Sequence, residues 1–326
     1  MNSVPYKATS TTGPVPSTAQ RLRRFLRKSP SQMWEMARFF RTMWLSKVPY
    51  IPHKVRLSIT ARESIAFWWS YFPASFRPDR TLFDYWGDDI GDLRFLWRYL
   101  RQGMIFLDIG AYHGVFSIVA AKKLGPSGRI VAFEPSPRER QKLLLHLRYN
   151  RIQSVTAEPY ALAADEGQAQ LSVVVDGFTT MNSLRTPPIN HPTRQVTVDT
   201  ITLDSYLKHA GLERADLMKI DTEGGEVDVF RGARRLLSEF RPIVICEVLD
   251  LVTRGWGYPA SQIVASLRAY DYEWFDILPD GSLSPHRARD KYPEGRNYLA
   301  VPREKRASLE TLNARVPSGG PNYQSS

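Results

Sequence analysis

Four acids in this chain share one setting. Asp108 follows Ile105-Phe106-Leu107, Glu134 follows Ile130-Val131-Ala132-Phe133, Asp221 follows Leu217-Met218-Lys219-Ile220, and Glu247 follows Ile243-Val244-Ile245-Cys246. Apolar runs of this length read as buried strands of a parallel sheet. Ligands of such sheets bind beyond the carboxyl ends of the strands. Carboxylates gathered there repel phosphate and attract cations and hydroxyl groups.

The first acid opens the most informative stretch, Phe106-Leu-Asp-Ile-Gly-Ala-Tyr-His-Gly-Val-Phe-Ser117. It reads as strand, tight turn and helix. Gly110 can take the positive φ of a sharp turn, and Gly114 allows close packing or close approach of a ligand. The dinucleotide fingerprint needs a glycine two residues after the first, where pyrophosphate touches backbone. Tyr112 stands there instead. A ligand that carries an ammonium and a sulfonium but no phosphate fits this turn, and S-adenosylmethionine is such a ligand. Glu134 lies 26 residues beyond Asp108, at the end of the second strand, where an acid can accept hydrogen bonds from ribose hydroxyls. Pro135 then breaks the strand.

Asp221-Thr222-Glu223-Gly224-Gly225-Glu226 turns another strand into a helix. Asp221, Glu223 and Glu226 are the candidate catalytic acids. Glu226 also suits the first turn of a helix, where the dipole favours negative charge. His113 is a further candidate base, a structural hydrogen-bonding role being the commoner one for a turn histidine. No metal ligand set is predicted, although a divalent cation at clustered acids would serve the same chemistry.

Stepping outward along the chain, residues 1–20 are rich in Ser, Thr and Pro and read as disordered. Residues 21–95 read as a basic helical extension. Leu22, Phe25 and Leu26 share one helical face amid cations, and Met33, Met36, Phe40 and Trp44 continue the spacing. Such an arm suits a membrane surface or an acidic partner; packing on the main domain fits it equally. A helix is predicted from Asp89 to Arg101. The enzyme domain is placed at 96–302, with strands at 154–162, 272–278 and 297–301. Pro159 calls for an early stop or a bulge in the first of these. Extended segments at 170–175 and 195–198 read as an inserted pair around a loop that fits an acceptor-binding lid. In the helix at 138–149 the leucines read as buried and the charges as outward. Residues 303–326 read as a disordered tail.

At 326 residues with 43% apolar content, the chain has the makings of a full core. Residues 1–60 hold 11 Lys and Arg against one acid, whereas the rest hold 33 against 32. A basic arm on a nearly neutral domain argues against a nucleic-acid partner. The single cysteine, Cys246, excludes an intrachain disulfide and reads as a core thiol. No apolar run approaches the roughly 20 residues that span a bilayer, and the first residues lack the apolar core of a secretory signal. Cytoplasmic residence, peripheral to a membrane through the arm, is the expectation; oligomeric state is not read.

Taken with Ile130-Val-Ala-Phe-Glu-Pro135, Ala161-Leu-Ala-Ala-Asp-Glu-Gly167, Val198-Asp-Thr-Ile-Thr-Leu-Asp204 and Met218-Lys-Ile-Asp-Thr-Glu-Gly-Gly-Glu226, the turn at 106–117 resembles the FkbM family of S-adenosylmethionine-dependent methyltransferases over about residues 100–300. The resemblance implies an α/β fold of the class I methyltransferase type. That is a Rossmann-like sheet of seven strands, mostly parallel with one antiparallel. It also implies O-methylation, usually of sugar or polyketide hydroxyls. Carried over, Asp108 and Gly110 hold the amino-acid end of the cofactor and Glu134 the ribose. Ala161 and Leu162 flank the adenine, and Asp221 lies near methyl donor and acceptor. Ala111, Tyr112, Gly114, Ser117 and Pro135 complete the cofactor set. Two departures are Tyr112, where the family commonly has Asn, and a glycine more than usual at Gly224-Gly225. An NAD-dependent oxidoreductase and a catalytically silent binding protein are the competing readings.

Overall fold

Short β-branched and aromatic runs separated by glycine- and proline-marked turns build alternating strands and helices. The structure is a computed structural model and describes residues 53–59, 64–69, 90–175 and 179–313. In chain order the elements are β1 (His53–Ser58), β2 (Ser64–Trp69), α1 (Ile90–Tyr99), β3 (Ile105–Ile109), α2 (Val115–Leu124), β4 (Arg129–Phe133), α3 (Pro137–Tyr149), β5 (Val155–Glu158), β6 (Ala161–Leu162), β7 (Gly167–Val174), β8 (Thr193–Ile201) and α4 (Leu203–His209). There follow β9 (Leu217–Ile220), α5 (Glu226–Arg231), β10 (Ile243–Val248), α6 (Asp250–Thr253), α7 (Ser261–Arg268), β11 (Tyr272–Ile277), β12 (Leu283–Pro285), β13 (Arg296–Pro302) and α8 (Arg306–Asn313). The chain divides into two units, residues 1–53 with 70–79 and residues 54–69 with 80–326. Apart from His53, every described residue belongs to the second.

The main sheet has eight strands in the order β12-β11-β13-β10-β9-β3-β4-β5. From β10 to β5 all neighbours are parallel, and β13 runs antiparallel to both β10 and β11. This is the expected mostly parallel α/β sheet, with β13 as its reversed strand; β12 at the edge is reversed as well. The eighth strand, β12, is a short edge hairpin on β11, formed where Pro279-Asp280-Gly281 turns the chain back. Parallel strands bury both faces, and accordingly Leu107, Ile109, Val131, Met218, Ile220 and Val244 lie in one core cluster. Cys246 is in the same core and is a free thiol.

Register brings the acids together. Ile109 pairs with Phe133 on one side and Ile220 on the other, and Ile220 pairs with Cys246. β3, β4 and β9 therefore stop on one line, and β10 crosses it and runs two residues further. Glu134, Asp221 and Glu247 each come one residue after that line, and Asp108 one before it.

The third strand of the parallel half ends at Glu158, before Pro159, which has no N–H for the ladder. The chain resumes as β6 in a separate three-stranded sheet, β6-β8-β7. The inserted extended pair is thus longer than expected. β7 and β8 pair antiparallel from Gly167↔Thr200 to Val174↔Thr193.

Four expectations are corrected. The stretch predicted as a helical extension holds a two-stranded sheet, β1 with β2. Ser64-Ile-Ala-Phe-Trp-Trp69 is β-branched and aromatic, which favours strand. Asn150 at the end of α3 pins it, donating to the Ala66 carbonyl and accepting from the Ala66 N–H, both at 2.8 Å. The boundary placed at 95/96 falls inside α1. The tail predicted from 303 is ordered as far as Asn313, because Leu309 is buried and Arg241 grips Glu304 through two nitrogens, at 2.7 and 3.0 Å. Finally, the charges of α3 do not all face outward, since Glu139 is buried. The predicted disordered segment at 1–20, the basic arm up to residue 52 and the rest of the tail lie outside the described residues. Among the described residues, no helix is long and apolar enough to cross a membrane.

Candidate functional site

A cavity opens at the carboxyl tips of β3, β4 and β9. Its wall includes Asp108, Gly110, Ala111, Tyr112, Glu134, Pro135, Ala161, Leu162, Asp221 and Glu223. Of the site residues singled out from the sequence, Gly114, Ser117, Glu226 and the strand-end acid Glu247 are not on the wall.

Asp108 is 1% exposed. Its Oδ2 accepts from the Ser117 N–H at 2.9 Å and the Ser117 hydroxyl at 2.6 Å, so it satisfies a free donor in the first turn of α2. Burial raises its pKa, against the nearby Lys219 charge and the Ser117 bonds. Gly114 precedes α2 at φ 83°. A Cβ there would meet Leu143 Cδ1 at 2.1 Å, so this glycine admits the neighbouring helix rather than a ligand.

Glu134 is 6% exposed. One oxygen accepts from the Tyr112 N–H at 2.7 Å and the other from the Ser136 N–H at 2.9 Å. Burial lifts its pKa to about 7, although both backbone donors oppose the shift. Tyr112 adopts φ 49°, its hydroxyl bonds Thr179 Oγ1 at 2.6 Å, and its ring stacks on His113 at 3.6 Å.

His113 Nε2 bonds Glu139 Oε2 at 2.6 Å. Burial lowers the His113 pKa, against the bond to Glu139 and its charge. Burial pushes Glu139 upward, but the His113 bond and the charges around it, including Lys142 and Arg138, hold it at about 2. A histidine engaged in this way serves as a structural hydrogen-bonder of the turn. Glu139 is a residue that helical periodicity assigns to solvent, and only the tertiary contact reveals it.

Asp221 receives Lys219 Nζ on Oδ2 at 2.8 Å. Lys219 is 4% exposed and lies 4.7 Å from the Phe116 ring centre. The sequence carries a signal for it, a lone cation inside an apolar strand. Glu223 takes φ 54°. Its carbonyl accepts from Ser183 Oγ at 2.8 Å and Trp256 Nε1 at 3.1 Å. Burial raises the Glu223 pKa well above the carboxylate range, and Asp221 and Glu226 add to the shift. Glu247, noted in the sequence only as a strand-end acid, behaves likewise: burial first, then Asp221, Glu223 and Glu226.

Glu226 is fully buried. Its Oε1 accepts from Thr222 N at 2.9 Å, Thr222 Oγ1 at 3.0 Å and Gly224 N at 3.3 Å. It shapes the turn between β9 and α5. The second glycine of that turn has a physical reason. A Cβ on Gly224 would lie 2.5 Å from Trp256 Cδ1, and one on Gly225 3.1 Å from the same ring. Trp256 covers both, and nothing in the local sequence announces it. From the loop after β7, Thr180, Asn182, Ser183 and Leu184 complete the wall.

Residues 108–274 match the family described as the methyltransferase FkbM domain. Methyltransferase 1 of Beauveria bassiana (strain ARSEF 2860) is 28% identical over 142 residues, 39% of this chain and 57% of that protein. The match thus spans little more than half the length of that relative. Among solved structures, precorrin-6y C5,15-methyltransferase from Geobacter metallireducens GS-15 aligns at 18% identity and TM-score 0.36, over 65% of this chain and 86% of that one. Aeropyrum pernix fibrillarin, solved with natively bound S-adenosyl-L-methionine, aligns at 17% and 0.37, over 64% and 73%. A methyltransferase from Agrobacterium tumefaciens aligns at 10% and 0.42, over 77% and 70%. Scores this low carry no argument about the present site.

Proposed function

Because the chain belongs to the FkbM methyltransferase family, we propose that it transfers a methyl group from S-adenosylmethionine to a hydroxyl oxygen of a sugar, a glycan or another small molecule. The observation that carries this reading is the convergence of Asp108, Glu134, Asp221 and Glu223 on one cavity.

The residues present fit the donor. Glu134, ionised, still has lone pairs for two ribose hydroxyls after taking its two backbone donors. Ala161 and Leu162 are both 5% exposed and offer an apolar slot for a flat base. Gly110 and Asp108 line the side where an amino-acid moiety fits. The donor supplies a methyl carbon already activated by its positive sulfur, so the chain's main task is alignment. Asp221 and Glu223 stand where they can orient an acceptor hydroxyl and take its proton, an effect of about 10² to 10⁴-fold. Lys219 fixes Asp221 through their 2.8 Å ion pair.

The oxidoreductase reading is disfavoured by Tyr112. Its side chain stands where the fingerprint requires glycine, and its N–H is already spent on Glu134. The test is calorimetry with S-adenosylhomocysteine and with NAD, followed by transfer of labelled methyl from the donor to a panel of glycosides. Binding of the homocysteine compound with label in a glycoside ether is the expected result. Heat with NAD alone would refute the proposal.

A further inference from the structure

One buried acid takes no part in the proposed chemistry. Glu139 stands in the first turn of α3 with its side chain sealed from solvent, and both of its oxygens are taken. Oε2 accepts from His113 Nε2 at 2.6 Å and lies 3.2 Å from Lys142 Nζ. Oε1 accepts from Arg138 Nε. Helical spacing explains the first contact. Glu139, Leu143 and His146 follow at i, i+4 and i+7 and share one face. Each meets the turn at residues 110–114: Glu139 holds the His113 ring, Leu143 takes the space that Gly114 leaves open, and His146 Nδ1 donates to the His113 carbonyl at 2.8 Å. Arg138 reaches elsewhere. Its Nη2 donates to the Val174 carbonyl at 2.8 Å and its Nη1 to that of Val175 at 3.2 Å. The Val174 N–H donates in turn to Asn182 Oδ1 at 2.9 Å, and Asn182 lines the cavity. A continuous strap thus runs from His113 through Glu139, Arg138 and Val174 to Asn182.

We propose that Glu139 is a positioning residue of methyl transfer: with His113 on one oxygen and Arg138 on the other, it fixes the turn that holds the donor relative to the wall that receives the acceptor. A buried ion pair adds little net stability over an apolar contact of the same shape, so the service of this carboxylate is geometric. It takes a side chain with two acceptor oxygens; a leucine would fill the same space and join nothing. His113 passes the fixed position on, because Tyr112 stacks on its ring at 3.6 Å and gives its N–H to Glu134 at 2.7 Å. In-line transfer is sensitive to such alignment, a misplacement of about 1 Å costing about 10²-fold. Naming the two sides donor and acceptor rests on the methyltransferase reading, whereas the strap itself does not.

The experiment is amide hydrogen exchange on the full chain, native and as Glu139→Gln, His113→Asn and Arg138→Met, with circular dichroism to check that each variant is folded. Glu139→Gln should speed exchange about tenfold at both ends of the strap, at Tyr112 and at Val174. His113→Asn should do so at Tyr112 only and Arg138→Met at Val174 only, with β10 and β13 unchanged in all three. In calorimetry, S-adenosylhomocysteine affinity should fall about tenfold in Glu139→Gln and in His113→Asn and hold in Arg138→Met. In labelled methyl transfer to the glycoside panel, the acceptor KM should rise in Glu139→Gln and in Arg138→Met. Acceleration at one end only in folded Glu139→Gln, or acceleration spread through β10 and β13, overturns the proposal. Should Glu139→Gln not fold, the other two variants decide: changes confined to Tyr112 in one and to Val174 in the other support the strap, and any other pattern overturns it. Absence of S-adenosylhomocysteine binding by the native chain would defeat the methyltransferase reading and leave exchange to judge the strap. Native binding with both ends unmoved in Glu139→Gln would defeat the strap alone.

Discussion

The carbonyl oxygen of Asp221 lies 1.7 Å from where a Cβ on Gly110 would be. The turn after β3 and the tip of β9 thus touch through bare backbone, and Asp221 N donates to the Ile109 carbonyl at 3.0 Å beside it. Gly110→Ala must push these strand tips apart. Gly103 is the control, with φ 83° against 76° for Gly110 but nothing within 4 Å of its Cβ. Backbone strain alone predicts a loss of about 1 kcal/mol for Gly103→Ala. Gly110→Ala should lose at least about 2 kcal/mol in urea unfolding together with most of the S-adenosylhomocysteine affinity. Equal losses at both positions would show that the contact is unimportant.

Glu134 makes donor affinity pH-dependent. Its folded pKa of about 7 lies above the ordinary glutamate value. The neutral form is therefore the one the unliganded fold prefers. Its contribution to stability is complete below the ordinary value and is lost as pH rises through about 7. The ionised form is the better acceptor for ribose hydroxyls. From pH 6 to pH 8, S-adenosylhomocysteine should bind about tenfold more tightly while the free chain loses stability. Glu134→Gln should flatten both profiles, as calorimetry and thermal melts across that range would reveal.

Asp221→Asn separates charge from shape. The amide keeps an acceptor near Lys219 but removes the counter-charge of a lysine that is 4% exposed. Only the lysine of this pair is buried, the Asp221 side chain being 31% exposed, so the stability loss should stay below the roughly 3–5 kcal/mol of a fully buried pair. Turnover should fall about 10² to 10⁴-fold, with S-adenosylhomocysteine affinity reduced far less. Unchanged turnover would remove Asp221 from the reaction.

Ser183→Ala tests whether the small sheet positions the acids. Ser183 bridges to Ser172 of β7 and donates to the Glu223 carbonyl. Losing that bond should cost about 1 kcal/mol of stability. The acceptor KM should rise while donor affinity holds. A variant that changes donor affinity instead would place Ser183 on the other side of the cavity.

Much of this was legible in the residues because strand ends announce themselves. Apolar runs closed by Asp108, Glu134 and Asp221 mark buried parallel strands, and glycine at 110 marks a turn whatever surrounds it. Glu139 and Trp256 were not legible. One looks like any solvent charge on a helix, and the other like any aromatic in a loop. Ser117 and Glu226 were visible as site residues, but their work is to hold turns from behind the wall. The stretch 53–69 was misjudged because no long-range partner is visible in a sequence, and it is Asn150, 84 positions from Ala66, that docks β2.

Local chemistry thus determined which strands end in carboxylates and which turns demand glycine, because solvent exclusion and backbone sterics act within a few residues. The tertiary structure alone decided that Glu247 joins Asp221 and Glu223, that Lys219 pairs with Asp221, and that Ser183 and Trp256 clamp the turn. Those contacts span tens of residues and depend on strand register and loop packing, which no local pattern encodes.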